Sequence, residues 1–137
     1  MKAKSASFHT IRLVPGQMLR EALSAWAKTH KVDAAAITTC VGSLKKAAIR
    51  YADSNTTTIT EGKYEIVSLT GTLSRHGIHL HISLSHGDGK TIGGHLMDGC
   101  EIYTTAEIVL AELEGVVFKR LPDAVTGYLE LNVEKKS

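Results

Sequence analysis

Histidine is the side chain best suited to acid–base and metal chemistry near neutral pH, and this chain gathers it in one place. Residues 75–97, RHGIHLHISLSHGDGKTIGGHLM, hold five of the seven histidines and five of the twelve glycines. Within them His79-x-His81 is followed by Gly93-Gly94-His95-Leu96. Residues two apart in a strand share a face, so His79, His81, Ser83 and Ser85 go one way and Leu80, Ile82 and Leu84 the other. The returning segment is residues 90–97. If Gly87-Asp88-Gly89 forms a three-residue loop, His86 faces Lys90, Leu84 faces Ile92, Leu80 faces Leu96 and His81 faces His95. One side of the hairpin is then apolar and the other collects three histidines. A two-residue Asp88-Gly89 turn would send His95 to the apolar side, because a one-residue slip flips every side chain. The longer loop also uses Gly89, which supplies the positive-φ residue after a type I turn.

In this register the Cβ atoms of His81 and His95 lie roughly 4.5–5.5 Å apart, and His79 is a diagonal neighbour at roughly 7 Å. Three imidazoles can then hold one ion at about 2.0–2.1 Å per nitrogen, with a position left for water. The set suits zinc first, with nickel, copper or iron as other divalent candidates. Gly93 leaves room on the histidine face. A His-x-His pair alone is common; three histidines on one face are harder to explain as solvent-exposed stacking. His76 and His86 fall at the strand ends and are expected in solvent, and His9 and His30 are more distant. Cys100 follows His95 closely but reads as a buried structural thiol.

Other chemistries are less complete. Ser83 and Ser85 lack a Gly-x-Ser-x-Gly elbow. Gly87-Asp88-Gly89-Lys90-Thr91 is half of a phosphate loop without its spacing or its helix. Glu107 stands in an apolar run, and if buried must be paired or protonated; a rim position at a subunit interface is the competing reading. By residue type alone, Glu107 and Ser83 are the candidates for proton transfer or orientation.

The elements that must position these groups follow from periodicity. Residues 5–14 alternate as a strand that Pro15-Gly16 stops; these two can also start a helix. Residues 17–30 are the clearest helix, with Met18, Leu19, Ala22, Leu23, Trp26 and Ala27 on one stripe. Trp26, the only tryptophan, reads as a core anchor. Residues 34–41 read as a buried strand, broken by Gly42-Ser43 before a further strand at 45–52. Residues 53–62 are polar and turn-rich, hence a loop or a weak edge hairpin. In the strand 64–74, Ile66, Ser68, Thr70 and Thr72 oppose Glu65, Val67, Leu69, Gly71 and Leu73. Residues 104–113 carry both a capping box, Thr104-x-x-Glu107, and strand-forming Ile108-Val109. Strands at 116–120 and 128–133 are joined by a turn around Pro122-Asp123. The pattern is α+β: a mainly antiparallel sheet with one long helix, residues 16–30, packed on it.

At 137 residues the chain is expected to form a single domain, 1–137. No apolar run approaches the ~20 residues of a membrane span, and no secretory signal is visible. Two cysteines, Cys40 and Cys100, make no disulfide framework, which fits a cytoplasmic location. Net charge is +2, with basic residues single or in pairs and an acidic block from 98 to 114. That is no signature of a nucleic-acid clamp.

The chain resembles the plants and prokaryotes conserved (PPC) domain, the AT-hook-associated domain of unknown function, over nearly its whole length. The resemblance rests on Arg12-Leu13-Val14-Pro15-Gly16, Val41-Gly42-Ser43-Leu44, His79-Leu80-His81-Ile82-Ser83-Leu84, Gly93-Gly94-His95-Leu96, Thr105-Ala106-Glu107-Ile108-Val109, Phe118-Lys119-Arg120 and Gly127-Tyr128-Leu129-Glu130-Leu131. It implies a compact α+β domain that assembles as a homotrimer. It implies zinc on the histidines of the two motifs, which map onto His79, His81 and His95. It also favours a strand over the helix at 104–113. The Arg-Gly-Arg-Pro AT-hook of plant members is absent here, so that DNA-binding element does not carry over. The first expectation is a DNA-binding, regulatory or protein-interaction module carrying a zinc-like site. The alternative is a metal-dependent enzyme or small-molecule binder using the three histidines. A third reading is a purely structural metal that pins the trimer.

Overall fold

The structure is a computed structural model that describes residues Met1–Ser137. Its elements are β1 (Ala6–Leu13), α1 (Leu19–Thr29), β2 (Ala35–Arg50), β3 (Thr58–Ser74), β4 (Gly77–His86), β5 (Thr91–Leu96), β6 (Glu101–Leu113), β7 (Val116–Pro122) and β8 (Leu129–Lys135). Six strands form an antiparallel sheet in the order β1-β6-β2-β3-β4-β5, and β7 pairs with β8 apart from it. This is the expected α+β arrangement. Residues 104–113 lie in β6, so the strand signal wins over the capping box.

The long strand β2 curls the sheet. Its register slips against β6 between Ile37 and Thr39, between Gly42 and Leu44, and between Leu44 and Lys46. The first and third slips put one extra residue in β2 and the second puts two in β6; such irregularities bend a strand and raise its twist. The first part of β2 lies between β3 and β6, while its last residues, Ile49 and Arg50, pair with Leu96 and His95 of β5. The sheet therefore returns on itself through β2 and β5. Leu44, Ile49, Leu73, Leu84, Ile102, Ile108 and Leu110 are buried in its core. Helix α1 covers this core with Leu19, Leu23 and Ala27, all fully buried. The two leucines contribute on the order of 3–6 kcal/mol of apolar burial.

Several local expectations change. Gly42 does not break β2. It pairs with Ile66 on one side and Ala106 on the other. A Cβ there would lie 2.0 Å from the Thr105 carbonyl oxygen, so the glycine is a point of close strand approach. Residues 34–41 are not buried throughout: Ala34, Ala35 and Cys40 are buried, while Thr38, Thr39 and Val41 are exposed. The strand β3 starts at Thr58, because residues 58–61 continue the pairing with β2. A bulge between Ile66 and Ser68 breaks the alternation in β3, which puts both Ile66 and Leu69 in the core and leaves Val67 outside. Helix α1 begins later than expected because Pro15-Gly16 makes a turn. Gln17 N–H donates to the Val14 carbonyl at 3.2 Å, and Gly16 has φ +87°. Proline followed by a positive-φ glycine is the type II pattern. Trp26 lies at the core margin, edge-on to His9 and stacked on His30.

Candidate metal centre

The β4–β5 hairpin has the register that its apolar alternation dictates. Ser85 pairs with Thr91, Leu84 with Ile92, and His81 with His95. The loop is Gly87-Asp88-Gly89: His86 N–H donates to the Lys90 carbonyl at 2.8 Å, and Gly89 has φ +83°. Lys90 N–H donates to Asp88 Oδ1 at 3.0 Å, so this segment is a hairpin turn and not a phosphate cradle. Beyond His95, β5 passes from β4 to β2: Leu96 pairs with Ile49, buried in the same core as Leu80.

The paired glycines have a different role from the one expected of Gly93. A Cβ on Gly93 would lie 2.7 Å from the Ile82 carbonyl oxygen, and one on Gly94 would lie 2.7 Å from the Arg50 carbonyl oxygen. They let β5 approach β4 and β2 at the same time. That double approach carries His95 both to His81 and to the end of β2.

Three imidazole nitrogens converge. His81 Nε2 is 3.2 Å from His79 Nε2 and 3.1 Å from His95 Nδ1, and His79 Nε2 is 3.3 Å from His95 Nδ1. The His79 and His95 rings stack with an interplanar angle of 14°, and His81 stands edge-on to both. Three ligands of a tetrahedral ion with bonds of about 2.05 Å stand about 3.3 Å from one another, so the triad fits a divalent metal. It holds only neutral donors of the type zinc takes. Burial, and then Arg120 and His81, hold the His79 imidazole below its ordinary pKa, with Arg50 adding to this and Glu130 opposing it. Burial and then Arg50 do the same for His95, with His81 and His79 adding to it. Both effects favour the unprotonated form that a metal requires.

His79 and His95 open onto a cleft of about 730 Å³ between the end of the curled sheet and the β7–β8 hairpin. Arg20, Arg50, Arg120, Asp53 and Glu130 supply its charges, and Ile78, Met97, Tyr128 and Leu129 part of its apolar wall. His76 also lines it, so this exposed histidine belongs to the site's surroundings. His86 is exposed and packs edge-on against Tyr64.

The other chemical candidates lie apart from the cleft. Ser83 is half-buried on β4 opposite Gly93, and is not among the lining residues. Glu107 is exposed on β6, between Arg12 of β1 and Val41 of β2. Its partner Val41 stands nine residues before Arg50, the β2 partner of His95. Cys100 is buried, exchanging weak hydrogen bonds with the backbone of Ala48. Burial pushes its thiol up to about 11 and that of Cys40 to about 12, as befits structural thiols. No motif marks Arg50, and Arg120 stands in the Phe118-Lys119-Arg120 stretch that carries the family resemblance without any role attached to it. Arg50 ends an apolar strand, and Arg120 reaches the cleft only through packing of β7.

A family model described as the Plants and Prokaryotes Conserved (PCC, also written PPC) domain matches residues 1–114. The chain belongs to this family. It is 44% identical over 131 residues, 96% of its length, to the bifunctional protein GlmU of a Synechococcus strain, and spans 21% of that relative. Among solved structures, a hypothetical protein from Salmonella matches at 41% identity and a TM-score of 0.96, covering 99% of both chains. A metal-containing protein from Archaeoglobus fulgidus matches at 25% identity and a TM-score of 0.81, covering 96% of both. The β7–β8 hairpin, which brings Arg120, Tyr128 and Glu130 to the cleft, lies beyond the residues that the PPC model matches. No helix is long and apolar enough to cross a membrane.

Proposed function

We propose that this PPC-domain protein binds a divalent transition metal, zinc first, on His79, His81 and His95, and binds a small molecule in the cleft beside it. The observation that carries this reading is the convergence of three imidazole nitrogens at 3.1–3.3 Å beside an open cleft. A metal held by His79, His81 and His95 would supply Lewis acidity. The chain's own part is to keep His79 and His95 unprotonated, to hold the three rings by strand pairing, and to wall the cleft with apolar and cationic groups. Ser83 and Glu107 stand outside the cleft lining, so the reading rests on binding and assigns them no catalytic role. The metal-containing relative from Archaeoglobus supports a metal in this fold.

Elemental analysis tests the metal. The wild-type protein should carry it in stoichiometric amount, and His81→Ala should lose it at a cost of at least about 100-fold in affinity. Unchanged metal content in that variant would refute the site.

A second reading, a protein-interaction module that self-assembles as the homotrimer implied by the resemblance, has one observation in its favour. Val41 and Val67, exposed at 55% and 58%, flank the Gly42–Ile66 pair on the outer sheet face, and Phe8 of β1 is also exposed, at 67%. Sedimentation equilibrium tests it: a monomer at micromolar concentration would sink it. The DNA-binding reading rests on family association alone, and titration at two salt concentrations tests it. No binding at low salt would remove it.

A further inference from the structure

We infer that the cleft recognises an organic anion, a carboxylate or phosphate group on an apolar body, with Arg50 and Arg120 gripping the anionic group beside the histidines. The inference deepens the small-molecule reading and rests on it for the ligand's orientation toward His79 and His95.

Three arginines line the cleft, but they are not equivalent. Arg20 is engaged by Asp98, Nη1 to Oδ1 at 2.6 Å. Arg50 and Arg120 make no ion pair with any carboxylate of the chain. Neutral oxygens hold both instead. Arg50 Nη1 donates to the Ser54 carbonyl at 3.2 Å, and Arg120 Nη2 donates to Thr72 Oγ1 at 2.6 Å. Each anchor fixes the guanidinium while leaving most of its five donors free. Gly77 admits the stem of Arg120, since a Cβ there would lie 3.0 Å from Arg120 Cγ. Both stand beside the histidines: Arg50 is the β2 partner of His95, and Arg120 lines the cleft with His79 and His95.

Two partly buried guanidinium groups with no carboxylate in direct contact, Glu130 acting on Arg120 through its charge without touching it, stand next to a triad suited to a divalent cation and make that end of the cleft positive. Guanidinium forks match carboxylate and phosphate oxygens in geometry as well as charge. The rest of the wall is different in kind. Ile78, Met97, Tyr128 and Leu129 are apolar, and Tyr128 and Leu129 are exposed at 56% and 60%. Asp53 and Glu130 also line the cleft, which disfavours a second anionic group. The volume of about 730 Å³ lies within the roughly 300–1,000 Å³ of small-molecule sites. One anionic head and one apolar body fit this distribution better than a polyanion does.

Calorimetric titration with four probes tests the assignment: phenyl phosphate, phenylacetate, inorganic phosphate and acetate. The first two should bind about tenfold more tightly than their bare head groups, as expected of added apolar burial. The better member of the pair tells phosphate from carboxylate. Arg50→Gln and Arg120→Gln should each weaken binding about tenfold or more by loss of charge-assisted hydrogen bonds. Their metal content should equal that of the wild type, and Lys90→Gln at the hairpin tip should change nothing. Arg120→Lys keeps the charge but not the fork, so it should restore only part of the binding and serves if Arg120→Gln folds poorly. Equal binding by wild type and the Arg50→Gln/Arg120→Gln double variant would overturn the inference, as would failure of metal-loaded wild type to bind either phenyl probe. If the wild type carries no metal, the metal reading fails separately. Titration of that metal-free protein and its Arg50→Gln variant then decides the arginine assignment.

Discussion

The β4–β5 and β7–β8 hairpins each pair two antiparallel strands, and both border the same cleft. In β4–β5, Leu80, Ile82 and Leu84 are buried on one face and the histidines stand on the other. In β7–β8, Val116 is buried but Leu121, Leu129 and Leu131 are exposed. This second hairpin is tied down by polar contacts. The buried carboxylate of Asp33 pairs with Arg75 at 2.8 Å and with Lys136 just after β8. Phe118 N–H donates to the Asp33 carbonyl, and Ser74 Oγ donates to the Phe118 carbonyl at 2.7 Å. Apolar alternation fixes a register within a few residues of sequence. Side-chain anchors far away in the chain fix only a docking position. A site that draws histidines from the first hairpin and Arg120 from the second therefore combines two kinds of specification.

Breaking each hairpin's support separates them. The largest effect is expected from Gly94→Ala, whose Cβ would enter the space of the Arg50 carbonyl and the Ile49 side chain. Forcing β5 away from β2 should cost about 2–3 kcal/mol in urea denaturation, in the range of overpacking. An unchanged midpoint would show that the strands can yield. Next comes Asp33→Asn, expected to cost about 1–3 kcal/mol, since it removes the charge-assisted bond to Lys136 and the ion pair with Arg75. Amide exchange should rise across residues 116–135 while metal content stays at the wild-type level.

The same contact carries an acid dependence. Burial alone would raise the Asp33 pKa, but the Lys136 hydrogen bond and the charges of Lys136 and Arg75, with a smaller part from His76, outweigh it and hold the carboxyl below its ordinary value. A depressed folded pKa means the contribution is complete above the unfolded value, about 3.9, and fades as pH falls through the lower folded value. Exchange in β7–β8 should therefore rise with acid below about pH 4, and Asp33→Asn should flatten that rise. The smallest effect is expected from His86→Ala. It loses an edge-on contact with Tyr64 worth about 0.5–1 kcal/mol and should leave the metal untouched. Metal loss in this variant would mean that the wrong histidines had been grouped.

Much of the site can be read along the chain because its information is local. His79, His81 and His95 fall on one face through period-two alternation and a three-residue loop. The bulges were not legible. Val67 looks like any strand valine until β4 pairs beside it, and Gly42 looks like a break until its neighbours on both sides are known. Trp26 likewise reads as core from its helical stripe, yet it lies at the margin between two histidines.

By itself, then, the sequence determined the hairpin, its register, the histidine triad and the α+β class, because these follow from periodicity and turn chemistry over short spans. Only the tertiary structure decided that β2 bends far enough to bring Arg50 beside His95, and that β7 docks Arg120 against Thr72. Those juxtapositions join residues 45 and 48 positions apart in the chain. They depend on bulges and on the fit of one packed element against another, for which no local pattern carries a signal.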